Sequence, residues 1–180
     1  MYGQHIPIKT RDEVGKMRVA SRHVGEILLE IREMVRPGVT TKEIDDAAEK
    51  MIIERGLVSS FKGYGPHGLP KYPAVLCISV NEEIVHGIPG SRIVEEGDIV
   101  SLDLGVSSQR CHGDSAVSIA VGELTPEKRR LMTVTREGLW RAIDMMRPGQ
   151  RLSDLLGIRS RRVGWDGDKR KCKRRQGCPS

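Results

Sequence analysis

Asp103 and Asp114 are the two side chains whose type and spacing point most directly to chemistry. Each lies in a run that alternates apolar and polar residues. Over residues 98–106 the apolar set is Val100, Leu102, Leu104 and Val106, which leaves Ile99, Ser101, Asp103 and Gly105 on the other face. Over residues 112–121, Val117, Ile119 and Val121 oppose Asp114, Ala116 and Ala120. A period of two marks strands with one buried face. The polar segment Ser107-Ser108-Gln109-Arg110 between the runs reads as a hairpin turn. A turn centred on it sets Asp103 directly opposite Asp114, with Cβ atoms about 4.5–5.5 Å apart. Like charges so placed are destabilising, and a divalent cation compensates for them. Two cations about 3.5–4 Å apart could be bridged by such a pair. The other reading is the solvated face of an edge hairpin, where an exposed Asp needs no partner.

Two histidines stand near this pair in the sequence. His112 is two residues before Asp114, on the same face, and His86 sits in Glu83-Ile84-Val85-His86-Gly87-Ile88-Pro89. A His followed by Gly-Ile-Pro belongs on a loop. Imidazole serves near neutral pH as ligand, base or hydrogen-bond donor, and a purely structural role stays open for each.

The elements that must position these groups are legible from period and punctuation. Val14, Met17, Val24, Ile27, Leu28, Ile31 and Val35 fall on one face of a long helix that stops at Pro37-Gly38. Thr40 and Glu43 have capping-box spacing. The helix they open carries Ile44, Ala47, Ala48, Met51 and Ile52 and stops at Gly56. Residues 58–73, rich in Gly, Pro and Lys, read as a loop long enough to suggest function. Residues 74–80 read as a strand. A last helix opens at Thr125-Pro126-Glu127 and ends at Pro148-Gly149. Strands bracketed by helices make an α+β or mixed α/β domain.

Composition narrows the class. The 180 residues carry 38% hydrophobic and 30% charged side chains, enough for one domain without disulfide staples. No apolar run approaches the roughly 18 residues of a membrane span, and the first twelve residues lack a signal-peptide layout. The four cysteines show no zinc-type spacing, which fits a reducing compartment. A soluble cytoplasmic protein is expected. The net charge of +6 is concentrated: residues 157–180 hold nine Lys and Arg against two Asp, net +7, leaving 21 against 22 over residues 1–156. The body is neutral and the basic excess is a tail.

Taken together, these segments resemble the type I methionine aminopeptidases. The resemblance is carried by Pro37-Gly38-Val39-Thr40-Thr41, Ser60-Phe61-Lys62-Gly63-Tyr64 and Cys77-Ile78-Ser79-Val80-Asn81-Glu82-Glu83. It continues through Val85-His86-Gly87-Ile88-Pro89, Glu96-Gly97-Asp98-Ile99-Val100-Ser101-Leu102-Asp103 and His112-Gly113-Asp114 to Pro148-Gly149. It implies a pita-bread fold, of which this chain holds the N-terminal half plus one or two helices. It also implies metal-dependent removal of the initiator methionine, with two divalent ions held by two aspartates, a histidine and two glutamates. Asp103 and Asp114 match the aspartates, Asp103 chelating one metal and Asp114 bridging both. His86 matches the catalytic histidine that steers the scissile amide. Tyr64 and Cys77, with His86, match substrate-binding positions, the first two lining the methionine side-chain pocket. Which of Co, Mn, Fe or Zn is used is not distinguished. The partners implied are the N-terminal Met of nascent peptides and the ribosome, with no membrane, no specific nucleic acid and a monomeric state.

The resemblance is lost near Leu155. No histidine follows His112, and the only acidic residues after Asp154 are Asp166 and Asp168. Residues 1–156 are therefore read as a partial domain and 157–180 as a divergent, disordered basic tail, with the look of an altered reading frame or an alternative terminus. Lacking the C-terminal ligands, the chain is expected to be inactive or weakly active. Two other readings are carried: a non-catalytic pita-bread binding protein whose tail contacts phosphates, and a proline-specific peptidase of the same fold.

Overall fold

The computed structural model describes residues 7–151. They fall into two compact units, one ending at Leu124 and the other beginning at Thr125. The basic tail, residues 157–180, lies outside the described residues.

In the first unit, helix α1 (Arg11–Arg32) opens at Thr10 and helix α2 (Thr41–Glu54) at Thr40. Both openings are capping boxes. The threonine hydroxyl accepts the amide of the glutamate three residues on, and that carboxylate accepts the threonine amide. The Thr40 box is the expected one. The Thr10 box is a second with the same spacing.

Helix α1 ends at Arg32, before Pro37-Gly38. Val35 and Val39, in the chain beyond it, still pack against the core. Its buried stripe runs Ala20, Val24, Ile27, Leu28 and Ile31, while Val14 and Met17 on the same stripe stay exposed. Helix α2 buries Ile44, Ala48 and Ile52.

The sheet has four strands: β1 (Val58–Ser59), β2 (Leu76–Val80), β3 (Ile99–Ser108) and β4 (Cys111–Ala120). All pairings are antiparallel and all are made to β3. Strand β2 runs along the first half of β3, β1 meets its end, and β4 follows it throughout. Val100, Leu102, Leu104 and Val106 are fully buried in one core with the stripes of α1 and α2. Each such side chain contributes about 1.5–3 kcal/mol. Val117 and Ile119 of β4 join from the same face. The two-residue β1, within the stretch expected to be loop, is too short to carry a pattern.

Helix α1 crosses β4 at a bare backbone. A Cβ built at Gly113 would lie 2.5 Å from the Ser21 nitrogen and 2.6 Å from the Ala20 carbonyl carbon. The glycine between His112 and Asp114 is thus required by helix–sheet approach.

The hairpin register differs from the expectation. Residues do not pair about a turn centred between Ser108 and Gln109. Ser108 pairs with Cys111, and the turn is Gln109-Arg110, with φ of 51° and 64°. Positive φ at both central positions is the geometry that matches strand twist in two-residue turns. Asp103 therefore faces Ala116, and Asp114 faces Gly105. The pairing moves by two residues, an even slip, so both aspartates keep the same face of the sheet.

In the second unit, helix α3 (Pro126–Met145) has Pro at its first turn and Thr125 as cap, its hydroxyl accepting the Lys128 amide at 3.3 Å.

Candidate metal centre

Four sequence segments converge on the sheet face that carries Asp103. On β3, Asp103 lies between Cys77 of β2 and Ala116 of β4, with Gly105 two residues on. Asp114 is the diagonal neighbour across the ladder. Gly105 leaves room for Phe61, since a Cβ there would lie 2.7 Å from the Phe61 ring.

One oxygen of Asp103, Oδ1, is buried and has no hydrogen-bond partner. Burial raises the Asp103 pKa, the Asp114 carboxylate raises it further, and His86 opposes both. An unpaired buried carboxylate oxygen beside a second carboxylate is costly. A hard divalent cation, which prefers oxygen donors, fits that pair. Among the described residues no group of three or more His, Cys, Asp or Glu side chains is arranged to hold a metal. The pair fits two positions of an ion's shell.

His86 reaches this face from the loop after β2. Asn81, at φ 54°, starts the turn; its amide donates to the Ile99 carbonyl at 2.9 Å, and its side-chain oxygen accepts the Ile99 amide at 3.0 Å. The loop then returns along the edge of β2 away from β3, where the Ile78 amide donates to the Gly87 carbonyl at 2.9 Å. Its far end is fixed to α2: the Gly90 amide donates to the Thr41 hydroxyl at 2.9 Å, and that hydroxyl donates to the Gly90 carbonyl at 3.0 Å. His86 itself has φ 57°.

Cys77 is buried and faces Asp103 across the β2–β3 ladder. Burial pushes its thiol pKa up, Asp103, Asp114 and Asp45 add to this, and the Tyr72 hydroxyl opposes it. The thiol stays neutral at physiological pH. Tyr64, by contrast, is 75% exposed, its carbonyl accepting the Tyr72 amide at 2.8 Å. The group beside the Cys77 thiol is the Tyr72 hydroxyl, which lies 2.9 Å from the carbonyls of Leu76 and Gly87. Burial, first of several causes, raises the Tyr72 pKa, so it too stays protonated. His112 is exposed on the face of β4 that carries Asp114, its Nδ1 2.8 Å from the Ser60 hydroxyl. The structure thus gathers Asp103, Asp114, His86 and Cys77 and leaves the Tyr64 ring in solvent.

Two supporting residues escaped the sequence reading. Tyr72 carried no signal, being one aromatic in a loop. Asp45 did carry one: it stands in the stripe Thr41, Asp45, Ala48, Ile52, where its neighbours are buried. Its Oδ1 accepts the amides of Val75 and Leu76 at 3.0 and 2.9 Å, fixing the start of β2 to α2.

Residues 15–167 match Metallopeptidase family M24. The chain belongs to this family. The M24 relatives it resembles include methionine aminopeptidase 1 of Bacillus subtilis, 42% identical over 150 residues, which are 83% of this chain and 58% of that one. A solved methionine aminopeptidase from Thermotoga maritima superposes with a TM-score of 0.80 at 39% identity, covering 86% of this chain and 60% of that one. A prolidase from Pyrococcus horikoshii shares the fold, with a TM-score of 0.71 at 19% identity over 84% of this chain and 41% of its own. The architecture is thus the pita-bread fold of M24, and the chain spans just under three fifths of the curated relatives it matches. Membership of a metallopeptidase family implies divalent metal as cofactor. No helix among the described residues is long and apolar enough to cross a membrane.

Proposed function

We propose that this chain carries the N-terminal half of a methionine aminopeptidase site, and that the whole protein removes N-terminal methionine with two divalent ions, drawn from Co, Mn, Fe or Zn. The observation that carries the reading is the Asp103–Asp114 pair, with its unpartnered buried oxygen, set beside His86 and a neutral Cys77. Asp103 would hold one metal and Asp114 would bridge to the second. Such a pair, when bound, polarises a carbonyl and activates water.

The protein's own groups supply recognition. The His86 ring would hydrogen-bond the scissile amide and hold its orientation, the role the resemblance gives it. The uncharged Cys77 thiol suits a thioether side chain, and Tyr64 is the second pocket residue that the resemblance offers. The same reading sets the protein in the cytoplasm as a monomer acting on nascent chains at the ribosome.

The histidine and two glutamates that the resemblance adds to the ligand set have no match among residues 115–151. The 180-residue chain is therefore expected to bind one divalent ion weakly, most of its shell being water. It should turn over methionyl peptides poorly, since loss of general acid–base help alone costs about 10²–10⁴-fold. A steady-state assay on a methionyl tripeptide with Co²⁺ or Mn²⁺, beside His86→Ala, tests this. Robust metal-dependent turnover that the variant loses would show that the N-terminal half suffices. Metal binding unaffected by Asp103→Asn would overturn the site itself.

A further inference from the structure

Ser79 is the one hydroxyl in the apolar run of β2, and it is buried. A buried hydroxyl is costly unless it is bonded. Its Oγ accepts the Gly87 amide at 3.1 Å. The Gly87 carbonyl lies 2.9 Å from two donors, the Ile78 amide and the Tyr72 hydroxyl. Both backbone polar groups of Gly87 are thus tied down. The approach is so close that a Cβ at this position would overlap the Ile78 carbonyl, which only glycine avoids.

The residue before this clamp is His86, at φ 57°. A side chain other than glycine keeps that conformation only where its surroundings impose it. The His86 side chain forms no bond that would do so within its own loop, whereas the Gly87 peptide is fixed on both sides. We propose that Ser79 and Tyr72 are positioning residues: by clamping Gly87 to β2 they hold His86 in the left-handed conformation and so present its ring to Asp103. The inference rests on the reading above in that it gives His86 a task at the Asp103–Asp114 site. Released from the clamp, His86 would relax to negative φ and its ring would swing off the sheet face.

The test uses the full 180-residue chain and compares it with Ser79→Ala, Ser79→Thr and Tyr72→Phe. Amide exchange by NMR reads the clamp at Gly87, and broadening of the His86 ring proton by substoichiometric Mn²⁺ reads the ring's distance from the carboxylates. Ser79→Ala is expected to speed Gly87 exchange at least tenfold, to leave the Leu102 and Leu104 amides unchanged, and to weaken the Mn²⁺ broadening of His86. Ser79→Thr, which keeps the hydroxyl, should restore both. Tyr72→Phe, which keeps the ring, should give a smaller acceleration at Gly87 and carries the test if Ser79→Ala does not fold. Unchanged Gly87 exchange in the hydroxyl-deleting variants would overturn the proposal. So would equal acceleration across the sheet, which marks a general loss of stability. If Mn²⁺ broadens nothing around Asp103 and Asp114 in the unaltered chain, the metal reading fails, and the exchange arm still decides the clamp.

Discussion

Asp103 and Asp114 are diagonal neighbours across the β3–β4 ladder, each facing an uncharged residue, Ala116 for one and Gly105 for the other. Diagonal positions lie about 7–8 Å apart along the backbone, within reach of side chains that lean together and far enough to admit an ion. The repulsion that a directly opposed pair would suffer is thereby softened but not removed: burial is the first cause of the raised Asp103 pKa, and the Asp114 carboxylate is the second.

Neutralising one member should therefore stabilise the metal-free chain while weakening its hold on metal. Asp114→Asn is expected to gain about 0.5 kcal/mol, within the range for like-charged cross-strand pairs, and to weaken Mn²⁺ binding tenfold or more. Urea unfolding in chelator and titration calorimetry read the two effects separately. A variant that loses stability without metal would contradict the repulsion.

The turn offers a second test. Gln109 and Arg110 both occupy the left-handed region, at a cost of roughly 1–2 kcal/mol for an ordinary residue. Replacing them with Asn-Gly, the pair favoured for this geometry, should raise stability by about 1 kcal/mol and leave metal affinity unchanged. A fall in stability would mean that the turn is not where the register puts it.

Gly113→Ala should act in the opposite sense. Its methyl would meet the α1 backbone at Ala20 and Ser21, which cannot rotate away as a side chain can. Overpacking of this kind costs about 1–3 kcal/mol, and a thermal melt beside the unaltered chain measures it.

Asp45 gives a pH signature. Burial raises its folded pKa, outweighing the two backbone amides that lower it. A raised carboxylate contributes stability that is full below the unfolded value, about 3.9, and is lost as pH rises through the folded value. Asp45→Asn keeps an acceptor for the Val75 and Leu76 amides and cannot ionise. Its stability relative to the unaltered chain should climb from about pH 4 upward and then level off. Asp45→Ala strands both amides and should cost about 2 kcal/mol or more at any pH. Urea unfolding between about pH 3.5 and 7.5 decides both.

How far the sequence could be read follows from the physics of each feature. Helices α1 and α2 announced themselves because Val24, Ile27, Leu28, Ile31, Ile44 and Ile52 have to share a buried stripe. Strands β3 and β4 did so through alternation, which survives any even slip, so the shared face of Asp103 and Asp114 was legible while their pairing was not. The register turned on the backbone of Gln109 and Arg110, residue types that do not advertise positive φ. Cys77 could be placed by its strand. The loop aromatics could not, since nothing local distinguishes Tyr72, half-buried with its hydroxyl on the Leu76 and Gly87 carbonyls, from Tyr64, left in solvent. Asp45 was readable in principle as a carboxylate on an apolar stripe.

The tight connection between β3 and β4 also bears on the order in which the molecule assembles. A hairpin with a two-residue loop closes within about 1–10 μs, far sooner than contacts between segments distant in the chain. Both carboxylates lie in that hairpin, whereas His86 and Cys77 reach them only after long-range pairing with β2. The earliest structure to form is then also the one that brings two negative charges together. A divalent ion, by relieving that charge, should hasten folding of this chain as well as stabilise its end state.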